Sequence, residues 1–303
     1  MGIGRTGRRE AGGRPRRRVR GWHKAALVLA AVLLAPFAYR LAAVYRFDRS
    51  CPEPTGGKPA VVFRVGAGSA GAPGRLTLLD YNIEGHAALF HPDHLEQVAA
   101  VIRRSGADLV GLEEVNRGRW TVRFGDQARD LARLTGLELG FGASFREFGG
   151  EFGNAVLTRG RIIAARAYPL PSFGEPRSVL RCDVDLGGRT VTAFVAHLTS
   201  WGGLARAERR RQVECLTGII RSTPHPFVVL GDLNAVPEAA ELAPLLGLKT
   251  LLFCGERSDE TYPSLKCRLD YILADARWKL LGSRVLREGP SDHWPILATL
   301  ELP

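Results

Sequence analysis

Asp232 and Asn234 stand two positions apart, just past Phe227-Val228-Val229-Leu230, an apolar run that reads as a buried strand ended by Gly231. With a strand period of two, their side chains leave the sheet on the same side, a carboxylate beside a carboxamide. One group accepts hydrogen bonds or binds a cation, and the other donates to oxygen, which suits chemistry on an anion held with a metal. The same pair also makes an ordinary Asx turn, with both side chains capping nearby backbone N–H groups.

Other strand patterns end in residues of the same kind: Asn82, Glu114, His197, Asp270, and Asp292 with His293. Acids and amides on one edge of neighbouring strands would converge into an oxygen-rich cation site, for which hard ligands favour magnesium, with manganese or calcium as alternatives to it, over zinc. Two histidines beside it add groups that exchange protons near neutral pH. Together these residues point to metal-assisted hydrolysis of a phosphate ester.

The elements that must position them follow from periodicity. Residues 75–83 form a strand candidate. Residues 91–106 hold a helix with Leu95, Val98, Val101 and Ile102 at helical spacing, and residues 108–115 form a strand with acids at its carboxyl end. A helix is predicted at 126–135, and strands at 152–157 and 161–168 are predicted as neighbours joined by Thr158-Arg159-Gly160. Strands at 179–186 and 190–197 flank Gly187-Gly188, a hairpin signal. A helix over 204–220 carries Arg206, Arg209, Arg210 and Arg211, read as a solvated face. Then come the Phe227 strand, a helix at 238–246, a strand at 269–273 and a closing strand at 296–300. Alternating strands and helices predict an α/β fold of mixed sheets covered by helices.

The 303 residues are 45% hydrophobic, enough for one large domain with a sizeable core. The net charge of +11 is concentrated at the start: residues 1–24 carry nine Lys or Arg against Glu10. With Arg40 set aside, about +2 is left after residue 45, which argues against avid, charge-driven nucleic-acid binding by the body. The basic head at 1–24 precedes an apolar run at 25–39. Extended to Tyr45, this run reaches the length of an N-terminal transmembrane anchor (25–45), with the head cytoplasmic and the body outside the cell membrane. A cleaved signal peptide and a secreted protein is the competing reading. Residues 46–74, rich in Pro and Gly, are expected to act as a tether, and residues 75–303 as the catalytic domain. Of five cysteines, Cys254 and Cys267 are close enough in sequence to close a small loop.

Seven motifs carry a resemblance: Tyr81-Asn82-Ile83, Leu112-Glu113-Glu114-Val115, Gly153-Asn154-Ala155-Val156-Leu157, Ala196-His197-Leu198, Gly231-Asp232-Leu233-Asn234, Leu269-Asp270-Tyr271-Ile272-Leu273 and Ser291-Asp292-His293. In this order they resemble the endonuclease/exonuclease/phosphatase family of deoxyribonucleases, abasic-site endonucleases, neutral sphingomyelinases and inositol polyphosphate phosphatases. The resemblance implies a four-layer α/β sandwich of two packed mixed β-sheets flanked by helices. It also implies Asn82, Glu114 and Asp292 as metal ligands, Asp232 and Asn234 orienting the attacking water, and His293 as base or phosphate donor fixed by Asp270. His197 is implied as the group that protonates the leaving oxygen, and Asn154 and Arg177 as substrate contacts, with a structural ion pair as the other reading of Arg177. Glu113, where many members have Gln, reads as a solvated acid, and His94 as a surface residue. The expected protein is a monomeric phosphoesterase acting on a lipid head group or a nucleic acid. Its alternative is a catalytically silent scaffold of the same fold.

Overall fold

A computed structural model describes residues 50–65, 74–147, 149–200 and 205–301. Two seven-stranded mixed sheets face each other. The first has the order β1 (Lys58–Pro59), β7 (Arg161–Leu170), β8 (Arg177–Asp185), β9 (Thr190–His197), β10 (Phe227–Asp232), β12 (Asp270–Asp275), β11 (Leu251–Cys254). The second has the order β13 (Lys279–Val285), β14 (Ile296–Glu301), β3 (Arg75–Asn82), β4 (Leu109–Arg117), β6 (Gly150–Thr158), β5 (Glu138–Glu147), β2 (Val61–Phe63). β9 and β10 pair in parallel, as do β3 and β4, and the other pairs are antiparallel.

Because helices cover the outer faces, most strands are apolar on both sides. On β3, Leu76 and Leu78 enter the core between the sheets, while Leu79 and Tyr81 pack outward. That outer layer is completed by α1 (His94–Ser105) and α2 (Gln127–Thr135), through Val98, Val101, Ile102, Ala128 and Leu131. On the other side α3 (Ala205–Arg221) and the single turn α4 (Ala243–Leu246) cover Phe194, Val229 and Leu273. The helix expected at 238–246 is a 3-10 turn, Ala240–Leu242, running into α4.

Several expectations are corrected. The strands on either side of Thr158-Arg159-Gly160 are not partners: β6 belongs to one sheet and β7 to the other, so the chain crosses the sandwich there. Residues 50–65, expected within a tether, are part of the body. β1 pairs with β7 at the edge of one sheet, β2 pairs with β5 at the edge of the other, and Cys51 is disulfide-bonded to Cys215 on α3. Cys254, buried at the end of β11, and Cys267 are free thiols and do not close the expected loop. On α3, Arg206, Arg210 and Arg211 are exposed as expected, whereas Arg209 is largely covered and pairs with Glu241. No helix among the described residues is long and apolar enough to cross a membrane, and the anchor expected at 25–45 lies outside the described residues, as does the basic head.

Candidate active site

On four strands, the stripe facing the opposite sheet runs apolar and then turns polar at one edge of the sandwich. The stripes are Leu76-Leu78-Asp80-Asn82 on β3, Ala193-Val195-His197 on β9, Val228-Leu230-Asp232 on β10 and, running the other way, Ala274-Ile272-Asp270 on β12. The polar ends meet across the gap: Asn82 Nδ2 donates to Asp232 Oδ2 at 3.1 Å and reaches Glu114 Oε1 at 3.5 Å. Gly231 is required because a Cβ there would collide with the Ala196 carbonyl, where β10 and β9 close on each other.

Glu114 owes its position to a bulge. The β4–β6 register slips between Leu112 and Val115, and Glu114 takes a left-handed φ of 60°. Burial would raise its pKa, but a hydrogen bond from His86 and the charges around His197 and Arg177 outweigh it and hold the carboxyl at about 2. Glu113, two positions after Gly111 on the stripe that faces the other sheet, points inward by ordinary strand alternation and is fully buried rather than solvated as expected. Glu113 and Asp80 lie against each other, sharing a proton between their carboxyl groups, with the Gly231 N–H beside Asp80. Burial first, with neighbouring acids adding to it, pushes both pKa values well up in the layer beneath the site.

Asp292 reaches the same side of the pocket, its backbone N–H donating to Glu84 Oε2 at 3.1 Å. Burial raises its carboxyl, His293 opposes this, and Glu114 adds to it. Asn82, Glu114 and Asp292, the expected ligands, and Glu84 all offer oxygen on this side, the donor type that suits a hard divalent cation, although Asn82 Oδ1 already accepts the Glu84 N–H at 3.1 Å. Sequence reasoning missed Glu84 and His86; the signal was two ionisable residues directly after the Asn82 strand.

On the other side, His293 Nδ1 is 2.9 Å from Asp270 Oδ2, and its Nε2 is 3.8 Å from Asp232 Oδ2. Burial would lower the imidazole pKa, but Asp270, Asp232 and Asp292 win and raise it to about 10. Asp232 is pushed up to about 7 by burial and by the charge of Asp270. His197 Nε2 lies 3.6 Å from the same Asp232 oxygen. Burial and then Arg177, whose Nη1 is 2.9 Å from Nδ1 and 3.0 Å from Nε2, drive its pKa well down. At neutral pH the site therefore holds one charged and one neutral histidine. Asp232, Asp270 and His293 also bring one potential ligand atom each to within 4.8 Å of one another.

The remaining expected residues divide. Asn234, at φ 51°, donates its backbone N–H to Asp232 Oδ1 at 2.9 Å and its amide to Leu198 O at 3.1 Å, a turn that also steadies Asp232. Asn154 donates to Ser178 O and Val195 O at 2.9 and 3.2 Å, which occupies both amide hydrogens and clamps β6 to the opposite sheet. Arg177 is buried against His197 and pairs with Glu175 at 3.1 Å. His94, expected at the surface, is buried with Nε2 2.7 Å from Ile83 O, which anchors the turn after β3.

Two further residues were not legible beforehand. The Tyr262 ring packs 4.7 Å from the His293 ring. Thr261 Oγ1 accepts from the backbone N–H of Leu269 at 3.0 Å and of Asp270 at 3.1 Å, while its carbonyl accepts from Trp294 at 2.7 Å. Thr261 thus ties both flanks of the Asp270–His293 pair.

Comparisons agree on the architecture. An endonuclease/exonuclease/phosphatase protein from Beutenbergia cavernae superposes with a TM-score of 0.63 at 22% identity, covering 76% of this chain and 72% of that one. D. rerio TDP2 complexed with a single-strand DNA product gives 0.62 at 19%, covering 75% and 99%. The human Nocturnin catalytic domain with bound sulfate gives 0.61 at 17%, covering 81% and 99%. A comparison with curated protein sequences gives no match. The family model described as endonuclease/exonuclease/phosphatase matches residues 81–293, from the end of β3 to His293. With the family's polar strand ends gathered in one pocket, this chain belongs to the endonuclease/exonuclease/phosphatase family, as a metal-dependent hydrolase of phosphate ester bonds.

Proposed function

We propose that the chain is a membrane-tethered, extracytoplasmic phosphodiesterase that uses magnesium and activates water between Asp232 and His293. The observation that carries it is the meeting of Asn82 and Glu114, from one sheet, with Asp232, Asp270 and His197, from the other. Asn82, Glu114 and Asp292 would hold the cation, which when bound supplies positive charge to a phosphoryl oxygen.

The chain's own groups supply the proton traffic. Asp232, raised to about 7, takes a proton from the attacking water, steadied by Asn82 Nδ2 and the Asn234 N–H. As the bond from phosphorus to the leaving oxygen breaks, the His293 imidazolium stabilises the developing charge and supplies a proton, with Asp270 holding its ring. His197, kept neutral by burial and Arg177, serves as a hydrogen-bond partner in preference to the proton source expected for it. The Cys51–Cys215 disulfide supports placement in an oxidising compartment, and the apolar run at 25–39 supports a tether there.

Release of p-nitrophenol from bis-p-nitrophenyl phosphate tests this directly: magnesium-dependent in the wild type, absent in Glu114→Ala and His293→Ala. Wild-type rates in either variant would end the assignment. Parallel assays on plasmid DNA, sphingomyelin and phosphoinositides at several salt concentrations decide the physiological ester.

A further inference from the structure

Three large aromatic side chains are mostly exposed on neighbouring turns: Phe90 is 73% exposed, Trp120 57% and Phe124 72%. They belong to two turns that leave the strands bearing Asn82 and Glu114. The 3-10 turn Gly85–Leu89 follows β3 and ends at Phe90, and the 3-10 turn Trp120–Val122 follows β4. The turns pack together, and Arg123 Nη2 donates to Leu89 O at 3.4 Å. The first is fixed to the site, since a Cβ at Gly85 would collide with the Glu114 carbonyl and His86 Nδ1 lies 3.7 Å from Glu114 Oε2.

The second turn spends conformational energy to hold its rings out. Arg123 and Phe124 are consecutive non-glycine residues with φ of 51° and 62°, a conformation such side chains rarely adopt. Arg123 N–H to Trp120 O at 3.0 Å and Phe124 N–H to Arg119 O at 2.8 Å lock it. An apolar patch presented to water by a strained turn is kept for contact.

We propose that Phe90, Trp120 and Phe124 form a lip that seats in the interfacial layer of a lipid bilayer. A polyanionic partner would need unpaired cations here. Those flanking the lip are engaged: Arg117 with Asp126 and Glu151, Arg119 with Glu147, Arg129 with Asp126 and Arg146 with Glu151. This leaves Arg123, bonded to the Leu89 carbonyl, as one charge where a polyanion needs several. Exposed Trp and Phe with Arg123 among them is the composition of a segment at a membrane–water boundary. The choice of partner rests on the proposed membrane attachment, which the apolar run at 25–39 supports.

The test uses the full chain in phosphatidylcholine vesicles, with and without brominated acyl chains. Subtracting Trp120→Phe emission from wild type isolates Trp120 from the other tryptophans. Its emission is expected to lose most of its intensity to brominated lipid, and Phe124→Ser to reduce that loss. Emission unchanged by bromine overturns the lip. Quenching by single-stranded DNA in place of lipid also overturns it, making the patch a base-stacking surface. Vesicle flotation reports the anchor separately. Hydrolysis of a soluble phosphodiester, expected unchanged in both variants, reports the catalytic reading separately.

Discussion

His293 Nδ1 lies 2.9 Å from Oδ2 of Asp270 and 3.0 Å from Oδ1, although one residue opens β12 and the other stands before β14. The imidazole is buried, and burial alone would favour its neutral form. The Asp270 carboxylate reverses that preference, so the pair proposed for catalysis is also a folding contact.

The pairing predicts how stability depends on pH. The folded pKa of His293, about 10, lies above the unfolded value of about 6.5. Its contribution is therefore fully present below about 6.5 and is lost as pH rises through about 10. Urea midpoints of the wild type and His293→Gln should differ most at acidic pH and converge above the folded pKa. A gap that widens with pH contradicts the pairing.

Thr261 should matter through that same pair. Thr261→Val removes the acceptor of two backbone N–H groups, one of them from Asp270, while Thr261→Ser keeps it. The Val variant should lose kcat with little change in KM, and the Ser variant should recover most of it. Asp270→Asn sets the limit, a loss of about 10²- to 10⁴-fold.

Chelation should abolish turnover, and added magnesium should restore it. If Glu114 is a ligand as proposed, Glu114→Gln should lower magnesium affinity by more than the roughly 10- to 100-fold typical of supporting residues. Calorimetry measures this, and circular dichroism should be unchanged because the bulge that shapes Glu114 is backbone.

Asn154→Leu separates a clamp from a substrate contact. It leaves two buried carbonyls without the amide, and a cost of about 1–3 kcal/mol is expected. Thermal unfolding should register that loss while KM stays near wild type. A raised KM with unchanged stability would restore Asn154 to substrate binding.

Breaking the Cys51–Cys215 bond should destabilise the body without touching the pocket. Cys51→Ser is expected to cost about 2–5 kcal/mol, read as a lower Tm. Reductant should lower the wild-type Tm toward that of the variant and leave the variant unmoved.

The core strands were legible because their signals are local: an apolar run, then a polar residue at its end, as at Leu76 to Asn82 and Val228 to Asp232. What escaped was set by distant partners. Nothing near Thr158 announces that the chain changes sheets there, and Glu113 looks like any acid until the pairing of β3 with β4 shows which face of the strand is covered by the other sheet. Cys51 and Cys215, 164 positions apart, could not be matched by spacing, whereas Cys254 and Cys267 looked suitable and are not bonded. Thr261 acts through backbone atoms of other residues, a role that no side-chain pattern encodes.

β1 and β2 terminate the strand order of different sheets. On that flank each sheet ends in a stub of two or three residues, one of them Pro59, where a long row of open amides would otherwise stand. Another copy of the protein meets almost no ladder there to extend. The segment that staples the sandwich shut is thereby also a guard against runaway self-association.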